Sequence, residues 1–177
     1  MFKRLSAINR KQRGFTLIEL VIAIAITGAI TGGITMSIFQ TLDYNARSNA
    51  RMVAVKQVEN ALHFINRDVQ MAQIVEPAAA PDADGFPLTL TWVEWSGVSN
   101  VVVYRVEGNE LKRSRSQDGG AATETTVARY IDSDPSNTYC AFDGTEWMFT
   151  IKITATVSGY PEEISETREV RITPRTS

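Results

Sequence analysis

The sequence predicts an α+β protein: a long N-terminal helix, one half suited to a membrane and the other amphipathic, packed on an antiparallel β-sheet. Three observations carry this reading. Residues 20–42 form a run of 23 without a charged side chain. Residues 43–76 contain no Gly and no Pro, and their apolar side chains recur at helical spacing. All six prolines lie at Pro77 or later, where the apolar period falls to two.

The head of the chain comes first. Residues 1–14 hold Lys3, Arg4, Arg10, Lys11 and Arg13 and no acid, a charge of +5 in a chain of net charge −2. The remainder therefore carries −7, which argues against a nucleic-acid footprint on the body. A basic flank before an apolar run is an orientation signal: the flank stays in the cytoplasm and the acidic body lies outside. As a helix the uncharged run reaches roughly 34 Å, enough for a ~30 Å hydrocarbon core. A secretory signal peptide has a shorter apolar region of about 7–15 residues, so the run reads as an anchor.

Two features stand out within it. Ala25, Ala29 and Gly33 recur every fourth residue, as do Gly28 and Gly32, which places small side chains where another helix backbone can approach. Glycine is also common in membrane helices generally, and Gly32-Gly33 marks a weak point in the helix. The second feature is Glu19, a carboxylate at the edge of the apolar run. Either it sits at the membrane interface at small cost, or it awaits a cation in the same plane. A cut after Gly14 would leave Phe15 with a free ammonium one helical turn away, and a neighbouring copy could place its ammonium against this Glu19.

The helix is expected to run on from residue 15 to about residue 76. Met52, Val55, Val58, Leu62, Ile65, Val69 and Ala72 form one apolar stripe, with Arg47, Arg51, Lys56, Glu59, Asn66 and Arg67 on the other faces. Residues 77–87 (PAAAPDADGFP) read as a loop. Strands follow at 88–95, 98–106, 124–131, 147–157 and 164–173, with Gly108-Asn109 as a hairpin turn before ELKRSRS. Residues 147–157 alternate most cleanly, and Ser158-Gly159-Tyr160-Pro161 reads as the turn after them. Trp92, Trp95 and Trp147 are expected in strands and in the core.

Little here points to catalysis. His63 is the single histidine and Cys140 the single cysteine, so no disulfide, zinc site or thiol–imidazole pair is expected. Cys140, beside Tyr139 and Phe142, reads as a small buried apolar residue. No nucleotide-binding or hydrolase motif occurs. Two acidic loops, Asp82-Ala83-Asp84-Gly85 and Asp132-Ser133-Asp134-Pro135-Ser136-Asn137, offer closely spaced oxygens to Ca²⁺. Such residues are also ordinary turn formers, and no cofactor is expected.

The stretch Arg13-Gly14-Phe15-Thr16-Leu17-Ile18-Glu19-Leu20 resembles the class III signal of type IV prepilins and type II secretion pseudopilins. The resemblance covers residues 1–42 closely and the rest in architecture only. It implies a 1–14 leader removed by a prepilin peptidase after Gly14, N-methylation of Phe15, and a role for Glu19 in registering a subunit entering a filament. It divides the chain into the leader, an assembly helix (15–42), its amphipathic continuation (43–76) and an extracytoplasmic β-rich domain (77–177). The expected partners are the peptidase, other pilin or pseudopilin subunits, an inner-membrane assembly platform and membrane lipid, with no nucleic acid.

The segment Asn66-Arg67-Asp68-Val69-Gln70-Met71-Ala72 is similar to the R-D-x-x-x-A pattern of J-type pseudopilins and W-type minor pilins, as is the VVVYRVEGNELKRS hairpin. Two departures from major pilins, no Pro in the apolar run and one cysteine, favour a minor component. The expectation is a non-enzymatic minor pseudopilin of a type II secretion-type filament. A minor pilin of a type IV pilus and a single-pass surface binding domain are the alternatives.

Overall fold

The computed structural model describes residues 14–77, 85–158 and 162–175. Residues 1–13 of the expected leader, the acidic positions 82–84 and the expected turn at 159–161 lie outside the described residues. Two compact units emerge, one ending at Asp43 and the other Tyr44–Ser177, and helix α1 (Leu17–Met71) contributes to both.

In the first unit every described side chain is exposed. By length and composition this helix can cross a membrane. Its hydroxyls are turned inward on the backbone: Thr27, Thr35 and Thr41 donate to the carbonyls of Ala23, Thr31 and Ser37 at 2.8–2.9 Å. That satisfies polar groups which lipid cannot. The helix is unbroken through Gly32-Gly33, where the sequence predicts a weak point.

The second unit is the remainder of α1 and two antiparallel sheets, rather than the single sheet expected. The first sheet has the order β1 (Ile74–Pro77), β2 (Leu88–Val93), β3 (Ser99–Glu107), β4 (Glu110–Gln117), β5 (Thr123–Arg129). The second is β6 (Tyr139–Asp143), β7 (Met148–Val157), β8 (Ile164–Ile172). One buried cluster joins Val58, Ala61, Ile65 and Val69 of the helix to Leu88, Leu90, Val102 and Tyr104 of one sheet and to Phe149, Ile151 and Ile153 of the other. This is the helix-on-sheet α+β arrangement that the period change predicts.

Polar ties fix the helix against both sheets. The Gln57 side chain accepts from the Arg129 backbone N–H at 2.8 Å, and Glu59 pairs with Arg168 at 3.2 Å. Between β4 and β5 the register slips, so that Leu111 faces Ala128 while Lys112 faces Thr126. Val127 is the extra residue of this bulge, and both Val127 and Ala128 turn into the core.

Several expectations are corrected. The helix ends at Met71, because the Gln73 N–H bonds to the Thr91 carbonyl at 2.9 Å and residues 74–77 pair with β2 instead. The stripe is rotated: Ala50, Ala54, Val58, Ala61, Ile65, Asp68, Val69 and Ala72 are buried, whereas Met52 is exposed and Val55 and Leu62 half-covered. Trp92 is core, but Trp95 is fully exposed in the β2–β3 turn. Trp147 precedes β7 in a left-handed conformation, φ 53°, edge-on to Phe142. Strand β6 has no expectation to match it.

Candidate processing and assembly site

The site is built on the first turn of α1. Residues 14–16 precede the helix without helical structure, and Phe15 is 89% exposed. Thr16 is the N-cap and Glu19 the third helical residue. The Thr16 backbone N–H donates to Glu19 Oε2 at 2.9 Å, as does the Thr16 hydroxyl at 2.9 Å, and the Glu19 N–H reaches Thr16 Oγ1 at 3.3 Å. This is a capping box, in which side chains satisfy backbone donors that the first turn leaves open. Sequence reasoning treated Glu19 as a carboxylate without a partner. The Thr-x-x-Glu spacing at 16–19 was the signal that could have found one. Glu19 Oε1 makes no hydrogen bond among the described residues.

The glycines are informative because the chain itself does not need them. A Cβ added at Gly14, Gly28, Gly32 or Gly33 would meet nothing within 4 Å. Glycine in a helix interior costs about 1 kcal/mol relative to alanine. Among the described residues no close packing requires glycine at positions 28, 32 and 33. Gly28 and Gly32 share a shallow groove with Ala23, Thr27, Thr31 and Thr35, whereas Gly33 does not line it. Of the two small-residue series, the structure therefore sets the Gly28–Gly32 pair in a threonine-edged groove.

A second constellation, not anticipated, joins the helix end to the first sheet. Asp68 is fully buried. Its Oδ2 accepts from the Tyr104 hydroxyl and from Arg113 Nε, each at 2.6 Å, and Oδ1 lies 3.6 Å from Arg67 Nε. Tyr104 and Arg113 are directly opposite on β3 and β4, so pairing of the strands brings both to one carboxylate. Burial raises the Tyr104 phenol well above its ordinary value, and the neighbouring carboxylate adds to this. Burial is the largest influence on Arg113 and opposes its charge, but the hydrogen bond to Asp68, the attraction of its carboxylate and the contribution of Tyr104 together outweigh it and raise that group. The spacing of Asp68 between Ile65 and Val69 on the buried face was the legible hint. The arrangement locks helix to sheet and offers no open reacting position.

The remaining candidates are quieter. His63 is exposed, in edge contact with Phe64. Cys140 is buried as expected, with Sγ 3.0 Å from the Gly85 carbonyl. In the second acidic loop the carboxylates serve the loop. Asp132 Oδ1 accepts the Asp134 N–H at 2.9 Å, and Asp134 Oδ1 accepts the Ser136 N–H at 2.8 Å. The Ser136 hydroxyl and N–H hold the Asp134 carboxyl below its ordinary range. Among the described residues no group of three or more His, Cys, Asp or Glu side chains is placed to hold a metal ion.

Compared with known proteins, residues 9–35 match the sequence model of the Prokaryotic N-terminal methylation motif. No curated protein and no solved structure matches the chain. The matched stretch takes in Arg10, Lys11 and Arg13 of the basic flank, the Gly14–Phe15 junction, the capping box and the first part of the apolar helix, and stops short of the β-rich unit. The head of this chain thus carries a prokaryotic N-terminal methylation motif, which supports a type IV pilin-like, prepilin-type protein processed by a prepilin peptidase and assembled with other pilin subunits.

Proposed function

We propose that the chain is a minor pseudopilin, a structural subunit of a type II secretion-type filament. Residues 1–14 are its leader, 15–42 its assembly helix, 43–76 the continuation of that helix and 77–177 its extracytoplasmic domain. The prepilin peptidase cuts between Gly14 and Phe15 and the new Phe15 amine is methylated. The chain enters the inner membrane with its N-terminus in the cytoplasm and its body outside, and an assembly platform then passes it to the filament.

The observation that supports this best is the junction itself: an exposed, non-helical Gly14–Phe15 bond directly before a capped helix with an uncharged, uncovered surface. A scissile bond has to be reachable, and among the described residues nothing packs where a side chain at position 14 would sit. Cutting also removes the five positive charges that hold the head at the cytoplasmic face.

Glu19 then acts in assembly. Its Oε2 stays on Thr16, and Oε1 receives the methylated ammonium of an adjacent subunit. Opposite charges in a low-dielectric setting attract far more strongly than in water, so this contact sets the register of the incoming subunit. The Gly28–Gly32 groove, with Gly33 on a neighbouring line, allows the helices to approach closely.

The test is a set of Glu19 variants followed through each stage. Glu19→Ala and Glu19→Gln are inserted and cut but fail to enter the sheared filament fraction. Normal incorporation of Glu19→Ala contradicts the pairing. A bulky residue at Gly14 leaves the longer, uncut chain on a gel.

A further inference from the structure

One charged pocket is not absorbed by this reading. At the start of the second unit, Tyr44, Arg47, Ser48 and Arg51 lie on one face of α1 at spacings of three, four and seven, and they line a concavity with Ser165 and Glu166 of β8. Neither arginine makes an ion pair among the described residues. Arg67, Arg113, Arg115, Arg129 and Arg168 each face a carboxylate within 4.0 Å, whereas Arg105, Arg171 and Arg175 share the unpaired state of Arg47 and Arg51 but line no part of this concavity. Glu166, the one acid in the lining, is engaged by Arg168 at 3.9 Å. Two guanidiniums that an acidic body leaves without acid partners are suited to an anion from elsewhere.

We infer that this pocket binds the phosphodiester of an anionic phospholipid headgroup. The inference rests on the membrane-anchored reading above. Arg47 and Arg51 follow Leu42, the last residue of the uncharged run, by five and nine residues. That is roughly 7.5 and 13.5 Å of helix rise. The polar headgroup layer is roughly 5–7 Å thick on each side of the hydrocarbon core. Long side chains on a helix lean toward its N-terminus, here back toward the apolar run, so Arg47 lies at headgroup level and Arg51 reaches back toward its outer edge. Tyr44, 73% exposed, occupies the place where interfacial aromatics collect. Guanidinium matches phosphate oxygens as a fork of donors, and the Ser48 hydroxyl can add another. Such a contact holds the body at the outer leaflet until extraction pulls the subunit free.

The experiment uses the full chain in a neutral detergent, with native mass spectrometry. Dioleoyl phosphatidylglycerol, dioleoyl phosphatidylcholine and inorganic phosphate are titrated separately. Phosphatidylglycerol is expected to bind at least about tenfold more tightly than phosphatidylcholine. Arg47→Gln and Arg51→Gln each weaken it about fivefold, together about 25-fold, while Lys56→Gln, outside the pocket, changes nothing. Unaltered phosphatidylglycerol binding in the double variant overturns the inference. So does displacement of the lipid by millimolar inorganic phosphate, which assigns the site to the free ion. Loss of a co-purifying subunit with lipid binding unchanged also overturns it, and gives the arginines to an acidic protein face. The same spectra report the N-terminus: chains beginning at Met1 would sink the processing reading and leave the lipid result standing.

Discussion

Replacing Asp68 by Ala strands a guanidinium. Asp68 is 0% and Arg113 11% exposed at the side chain, and the Nε–Oδ2 distance is 2.6 Å. Removing one partner of a buried, hydrogen-bonded ion pair destabilises by about 3–5 kcal/mol, because the other charge is left without compensation. The Tyr104 hydroxyl loses its acceptor at the same time. Asp68→Asn should fall between wild type and Ala, since an amide oxygen can still accept from Tyr104. The decisive arm is Asp68→Leu combined with Arg113→Met, which removes both charges and recovers much of the loss. The assay is urea unfolding of the full chain in mild detergent, followed by tryptophan emission, in which Trp92, 5% exposed in the native state, reports the loss of the core. A single-variant loss under about 1 kcal/mol, or strict additivity in the double variant, refutes the idea that this network ties the helix end to the sheet.

Other outcomes can be checked alongside. Ile65→Asp puts an unpaired charge at a fully covered position of the helix–sheet interface, and a circular-dichroism melt should show a loss of at least several kcal/mol. Gly85→Ala is strained twice: φ is +73°, and the added Cβ would run into the Cys140 carbonyl oxygen. It should lower the melting temperature and raise the rate at which Cys140 reacts with a thiol reagent. The raised Tyr104 phenol stays protonated in the native state after an unfolded tyrosine would ionise. Its contribution to stability is therefore complete below about pH 10 and falls as pH rises beyond it. The urea midpoint should drop above that pH in the wild type, and this part of the drop should vanish in Tyr104→Phe.

The legible parts of the fold were those where local chemistry and tertiary context agree. The alternation read in residues 147–157 survives, apart from Trp147, as Phe149, Ile151, Ile153 and Ala155 buried in β7, and Gly108, at φ 62°, turns β3 into β4 as its Gly-Asn pair predicts. The parts that were missed depended on distant partners. Ala54 and Ala61 are fully covered, but alanine registers weakly in an apolar pattern, so the stripe was centred on larger residues to one side. Asp68 enters the sequence reading only through its R-D-x-x-x-A pattern, and its buried role arises when strands β3 and β4 deliver Tyr104 and Arg113 to it. Residues 74–76 read as the end of the helix, yet with Pro77 they form a strand because β2 offers a pairing edge. Tyr139-Cys140-Ala141-Phe142-Asp143 buries little beyond Cys140 and gains its strand character from β7. At the candidate site the apolar run is legible in the residues themselves, the Gly14–Phe15 junction follows from the resemblance to prepilin signals, and the Thr16–Glu19 cap needed a helix start to be placed.

The central claim is that cutting after Gly14 creates the positive chain end that Glu19 receives. Intact-mass and N-terminal peptide spectrometry of the chain taken from membranes and from sheared filaments tests it most directly. The account predicts chains beginning at Phe15 and carrying one added methyl group on the α-amine. Mature chains that still carry residues 1–14 in the filament fraction would contradict it.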